Sequence, residues 1–179
     1  MLVRANEASE TVTFHTEPEP ITLNVRDFGA FGDGVHDDTS AIQAAILCCP
    51  KNARVLIPKG TYPVTALFLK SDMILELQEN AVLAGIYDRA RTPILPGQIE
   101  YDNEDGYYNL GSWEGNPIDS FASMITGIHV KNVTICGKGV LDGRADFENW
   151  WSRPKDKIRA WRPRMIFLNH CENITVVGV

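Results

Sequence analysis

Long apolar runs are missing from this chain. No stretch approaches the roughly 20 residues that a bilayer-spanning helix needs, so no membrane partner is expected. The first residues, Met1-Leu2-Val3-Arg4-Ala5-Asn6-Glu7, lack the apolar segment of a secretory signal. The expectation is a cytoplasmic chain, or one whose true N-terminus lies upstream. Cysteine is scarce and unpatterned. Cys48 and Cys49 are neighbours, which rarely bond each other, and with Cys136 and Cys171 they form no C-x-x-C pair or zinc-ligand spacing. Buried free thiols in a reducing compartment are expected, with no metal and no cofactor. Excess positive charge is missing too. The formal net charge of −6 excludes bulk attraction to nucleic acid or to an acidic polymer, so an anionic ligand needs a local basic patch. The dipeptides Asn-Gly and Gly-Gly are absent, which disfavours a sandwich built on tight hairpins.

What is present is globular: 44% hydrophobic and 22% charged residues, in a chain long enough for one domain with a core. Residues 1–20 read as a separate piece. Thr11 to Thr16 alternates like a half-buried strand and Glu17-Pro18-Glu19-Pro20 follows as an extended linker. This is expected to be the last strand of an upstream β-domain. Residues 21–179 read as one unit. Ile21 to Val25 alternates as a short strand, and three glycines between Gly29 and Gly34 make a turn-rich loop. Asp37-Asp38-Thr39-Ser40 then supplies capping groups for a helix over 39–48. Its apolar face is Ala41, Ile42, Ala45 and Ile46, Pro50 closes it, and Ser40 with Gln43 has capping-box spacing.

After the helix the period changes to short strands, over Arg54–Pro58, Tyr62–Leu69, Met73–Leu77 and Ala81–Gly85. Two later segments repeat each other. Lys131-Asn132-Val133-Thr134-Ile135-Cys136-Gly137 aligns with Glu172-Asn173-Ile174-Thr175-Val176-Val177-Gly178. A strand introduced by Asn and recurring in this way is the mark of stacked coils, since Asn tolerates the left-handed conformation of a sharp corner. Residues 87–122 and 143–164 interrupt the pattern as long excursions. The last strand, Ile174 to Val179, reads as cut at its close. An uncapped stack exposes an unpaired edge, so truncation and self-association through the open C-terminal end are expected.

The run from Val25-Arg26-Asp27-Phe28-Gly29 to Asp37-Asp38-Thr39-Ser40-Ala41-Ile42 resembles the opening motif of the pectin-lyase-like superfamily. Gly137-Lys138-Gly139-Val140-Leu141-Asp142-Gly143, Trp150-Trp151, Arg162-Pro163-Arg164-Met165-Ile166-Phe167-Leu168 and Cys171-Glu172-Asn173-Ile174-Thr175-Val176 are similar to glycoside hydrolase family 28, the polygalacturonases. Asn109-Leu110-Gly111-Ser112-Trp113-Glu114-Gly115-Asn116-Pro117 resembles its bacterial exo-acting branch. The resemblance covers about residues 21–179. It implies an all-β, right-handed parallel β-helix with an N-terminal capping helix, a pectic substrate, and inverting hydrolysis by paired carboxylates. It also implies that the catalytic residues lie beyond this chain. The family motifs Asn-x-Asp, Asp-Asp, Gly-His-Gly and Arg-x-Lys come in that order after the matched region. Here Asp37-Asp38 is a helix cap, Asn103-Glu104-Asp105 lies in a loop, no histidine sits between glycines, and Arg153-Pro154-Lys155 comes too early. No residue of this chain inherits a catalytic role, and the chain alone is expected to be inactive.

Binding residues are a different matter. Arg153, Lys155, Lys157, Arg159, Arg162 and Arg164 face a single acid, Asp156, and are interleaved with Trp150, Trp151 and Trp161. Aromatic faces stack on sugar rings and guanidinium forks suit carboxylates. Trp113, Trp151, Trp161, Arg162 and Arg164 are therefore the candidate substrate-binding residues. The bland alternative is that the tryptophans are buried and the cations solvated or paired with the acidic first excursion. Rival readings are another β-helix protein, such as a tailspike depolymerase or a lyase, and a non-catalytic carbohydrate-binding stack.

Overall fold

In the computed structural model the described residues are 19–100 and 107–179. The strand expected at 11–16 and the triplet Asn103-Glu104-Asp105 lie outside them. The strands are β1 (Thr22–Asn24), β2 (Ala53–Ile57), β3 (Gly60–Val64), β4 (Leu67–Phe68), β5 (Met73–Leu77), β6 (Ala81–Gly85), β7 (Ile94–Leu95), β8 (Gln98–Glu100), β9 (Tyr107–Asn109), β10 (Ser112–Trp113), β11 (Asn116–Pro117), β12 (Ser120–Phe121), β13 (Ile125–Ile128), β14 (Lys131–Gly137), β15 (Val140–Asp142), β16 (Ile166–Asn169) and β17 (Glu172–Val177). A 3-10 turn spans Val25–Phe28 and one α-helix, α1, spans Thr39–Cys48.

The pairing turns this list into coils. One sheet runs β1-β2-β5-β14-β17, a second β3-β6-β15, and a third β4-β13-β16, and every pair in the three is parallel. Each pass of the chain lays one strand in each sheet: β2-β3-β4, then β5-β6-β13, then β14-β15-β16. Parallel pairing in register puts like on like. Val55, Leu75, Ile135 and Val176 form one row and alternate residues on either side face outward. Ala53, Val55, Ile57, Met73, Leu75, Leu77, Val133 and Ile135 are buried in one continuous core. The two repeated segments found in the sequence are β14 and β17, paired Val133 to Ile174 and Ile135 to Val176.

The corner before the first sheet uses the expected chemistry. Asn52, Asp72, Asn132 and Asn173 have φ of 60°, 60°, 55° and 53°, the left-handed region that short polar side chains tolerate. They stack. Asn173 donates Nδ2 to Asn132 Oδ1 at 3.0 Å, and Asn132 donates Nδ2 to Asp72 Oδ1 at 2.7 Å. That bond from Asn132, helped by Lys51, holds the Asp72 carboxyl below the usual carboxylate range.

Helix α1 buries Ile42, Ala45 and Ile46 in the same core as Val25 and Val55. The capping-box expectation is corrected. Asp38 is the N-cap residue, but its buried carboxylate accepts from the backbone N–H of Phe31 (2.7 Å) and Gly32 (3.0 Å) instead of the helix. Gln43 is not a cap either. Its amide pairs with the backbone of Phe68, donating at 2.9 Å and accepting at 2.7 Å, and so supplies the bonds that β4 lacks at the edge of its sheet. The single strand expected over Tyr62–Leu69 is two strands, β3 and β4. The chain turns between two sheets at Thr65 and Ala66, where the Thr65 N–H bonds to Thr39 Oγ1 (2.9 Å). All four cysteines are free, and Cys48 is exposed rather than buried. Among the described residues no helix is long and apolar enough to cross a membrane.

Candidate functional site

Both long excursions leave the stack after a strand of the second sheet and return to a strand of the third. The first departs after Gly85 and rejoins at Ile125; the second departs after Asp142 and rejoins at Ile166. Coil stacking therefore places one against the other. The first carries three antiparallel pairs, β7 with β12, β8 with β9 and β10 with β11. The second has almost no strand of its own and docks by its return leg. Phe121 N–H donates to Trp161 O and Trp161 N–H to Asp119 O, each at 2.8 Å.

A second apolar cluster, apart from the coil core, locks this contact. Phe121, Trp150 and Ala160 are buried together. Trp150 meets Tyr87 and Phe121 edge-on, with centroids 5.1 and 5.2 Å away. The guanidinium of Arg89 lies 4.7 Å from the Trp150 ring and 5.6 Å from each of Tyr87 and Phe121, and donates to Ile158 O at 3.3 Å. Arg159 in turn donates to Arg89 O. The first excursion is also pinned to the helix end, where Arg91 bridges Asp37 (2.8 Å) and Asp88 (2.7 Å). Burial opposes ionisation of Asp37, but bonds from Thr39 and Arg91 outweigh it and hold the carboxyl below its usual range.

Between the excursions and the stack opens a cleft of about 330 Å³. Gly85 and Gly143 are part of its lining, where successive coils pack too closely for a side chain at Gly85. A Cβ on Gly85 would lie 2.7 Å from the Gly143 carbonyl oxygen. The walls are Trp150, Trp151, Trp161, Arg162 and Arg164, with Thr65, Thr92 and Met124 among the rest. Four of the five candidate binding residues are thus brought together. The fifth, Trp113, does not line the cleft. It stands 54% exposed on the β10–β11 hairpin with its ring 5.3 Å from that of Trp161. Trp150 takes the bland alternative, buried in the cluster, while Trp151 is 44% exposed. Arg162 is half-buried, with its guanidinium 4.3 Å from the Trp151 ring and 5.1 Å from the Trp161 ring. Arg164 is exposed, 5.8 Å from the Phe167 ring. Neither arginine has a carboxylate within ion-pair reach among the described residues, whereas Arg153 and Lys157 have Asp156 (3.7 Å) and Asp119 (3.9 Å). No aspartate or glutamate is among the described residues that line the cleft. Among the described residues the lining offers aromatic faces and cations but no pair of carboxyl groups for acid–base work. Arg89 was missed from sequence because nothing in its local pattern distinguishes it from a solvated surface cation.

Residues 22–150 match the family described as rhamnogalacturonase A/epimerase, pectate lyase-like. The chain belongs to that family. It is 38% identical over 148 residues to the exo-poly-alpha-D-galacturonosidase of Dickeya chrysanthemi, an alignment covering 83% of this chain and 23% of that protein. The structure of a family 28 exopolygalacturonase from Yersinia enterocolitica superposes with a TM-score of 0.74 at 29% identity, covering 93% of this chain and 36% of that one. A mannuronan C5-epimerase, AlgE6 of Azotobacter vinelandii, is 50% identical over 64 residues, 35% of this chain and 7% of that protein. The chain thus spans about a quarter to a third of the length of its galacturonan-directed relatives. High identity to an epimerase over a short segment also shows that part of the sequence is shared across different chemistries.

Proposed function

We propose that this chain is the N-terminal part of a polygalacturonase-type glycoside hydrolase that cleaves α-1,4-galacturonosidic bonds in pectin with inversion. In this reading the coils wind as a right-handed parallel β-helix, α1 caps its N-terminal end, and the cleft between the excursions holds an acidic sugar. The observation that carries it is the cleft wall, where two accessible indoles and two guanidinium groups without carboxylate partners face one small cavity. Trp151, Trp161, Arg162 and Arg164 contact the sugar, and Trp113 backs Trp161 at the rim. Inverting hydrolysis requires two carboxyl groups roughly 6.5–9.5 Å apart across the bond, and the described residues that line the cleft offer none. The chain by itself therefore binds oligogalacturonate without cleaving it. Titration with digalacturonate should quench or shift tryptophan fluorescence, while reducing ends released from polygalacturonate stay at the level of a no-protein blank. Measurable hydrolysis by these residues unaided would sink the assignment of chemistry to residues outside them.

We also infer that, in this chain on its own, the edge of β17 left open among the described strands pairs with a second copy. Among the described strands β17 pairs only with β14, and Leu168, Val176 and Val177 stand 37%, 44% and 57% exposed on that side. Because β17 repeats the pattern of the strand it already pairs with, its edge is a template for its own sequence. Sedimentation should show a concentration-dependent dimer that Val176→Lys disperses. A monomer at every concentration contradicts the inference.

A further inference from the structure

We infer that Arg162 is the residue by which the cleft tells a carboxylated sugar from a neutral one, and that Trp151 and Trp161 hold its guanidinium ready for that task. The inference rests on the reading of the cleft as a galacturonide site. It goes beyond that reading by separating two arginines that the sequence treats alike.

The two differ in surroundings. Arg164 is exposed, and its backbone N–H is bound to Ser123 Oγ (3.1 Å). An exposed cation adds little to the affinity of a ligand beyond long-range attraction. Arg162 is half-buried between two indoles, 4.3 and 5.1 Å from their centroids. Its Nη1 donates to Pro154 O at 2.8 Å, which uses one of its five N–H donors. No carboxylate among the described residues neutralises it. A partly desolvated charge without a counter-ion is costly, and natural proteins pair such groups. Here the guanidinium carbon lies over both indole rings, and Arg162 lines the cavity with four N–H donors not engaged by the described residues. A planar fork set against aromatic rings and short of an anion is a receptor for a carboxylate, which it binds through two parallel bonds. An ammonium in the same place keeps the charge but loses the fork.

The test uses digalacturonate and its methyl ester, which has the same ring and bulk without the charge, titrated against tryptophan fluorescence of the intact chain. Unaltered protein should prefer the acid by at least about tenfold, the worth of one good charge-assisted contact. Arg162→Met should bind acid and ester alike. Arg162→Lys should keep only a small part of the preference and show a steeper salt dependence for what is left. Arg164→Met should weaken binding of the acid but keep part of the preference, and Arg153→Met, outside the cleft lining, should retain it to within about threefold. Near-UV circular dichroism of the same variants checks that the indoles stay in place, and the lysine variant answers the question if the methionine variant does not fold. Acid preference surviving Arg162→Met, or vanishing in Arg164→Met, overturns the assignment. Equal binding of acid and ester by unaltered protein overturns it while leaving the galacturonide reading intact. Binding of neither removes that reading and the inference together.

Discussion

Gly137→Ala is expected to abolish folding of the stack, the largest effect of any single methyl group in this protein. Gly137 closes β14 with φ +125°, a conformation that side-chain-bearing residues rarely adopt. An added Cβ would overlap the carbonyl oxygen of Leu77 on the coil below. That oxygen is already engaged by the N–H groups of Lys138 (3.0 Å) and Gly139 (3.2 Å), so it cannot move aside without breaking the corner. The same geometry recurs one coil on, where a Cβ on Gly178 would run into Gly137 O. The only relief is to separate two coils whose inward rows form the core. Backbone strain contributes about 1–2 kcal/mol, and loss of inter-coil packing several more, so the total exceeds about 4 kcal/mol. That approaches the lower end of the roughly 5–15 kcal/mol of net stability an ordinary domain possesses. Gly115→Ala is the control. It has φ +82° and open space around its Cβ position, so only the strain of about 1 kcal/mol applies. Far-UV circular dichroism and urea midpoints of the two variants decide. Equal midpoints would mean that the glycine column is incidental to coil stacking.

What the sequence revealed and what it hid divide along one physical line. Features that repeat from coil to coil were legible, because parallel pairing in register copies a local pattern onto its neighbour. Asn132 and Asn173 sit at equivalent corners and hydrogen-bond each other, so their alignment in the sequence is their contact in space. The helix bounds were legible because Asp38, Ile42 and Ile46 act within a few residues. Gln43 was misread because its partner, Phe68, lies 25 residues away on another element. The β10–β11 hairpin was missed because its turn is Glu114-Gly115, with φ 48° and 82°, and glutamate is a poor sign of that conformation. Within the site, Trp150 and Trp151 are neighbours in sequence with opposite fates. Only the docking of Tyr87, Phe121 and Arg89 from the other excursion decides which one is buried.

That docking is the reason the second large effect falls on Trp150. Replacing a buried tryptophan by alanine costs about 3–5 kcal/mol where the site cannot collapse. Here it also strips Arg89 of its closest ring, 4.7 Å away, and leaves Phe121 without its edge-on neighbour. The lost packing lies in a cluster separate from the coil core. The damage should therefore be local, opening residues 87–122 and 143–164 as one unit while the three parallel sheets persist. Hydrogen exchange of Trp150→Ala should rise in both excursions, including the N–H groups of Phe121 and Trp161 that bridge them, with little change in β2, β5 and β14. Digalacturonate binding should fall by more than about tenfold, since Trp161 and Arg162 belong to the leg that comes loose. Arg89→Met should reproduce the pattern at smaller amplitude, because it removes the cation–ring contacts but leaves the rings packed. Exchange confined to the second excursion would show that the two are held separately. Exchange rising across β5 and β14 would show that the cluster and the coil core are one cooperative unit, and the cleft would then be a property of the whole stack instead of the two segments that frame it.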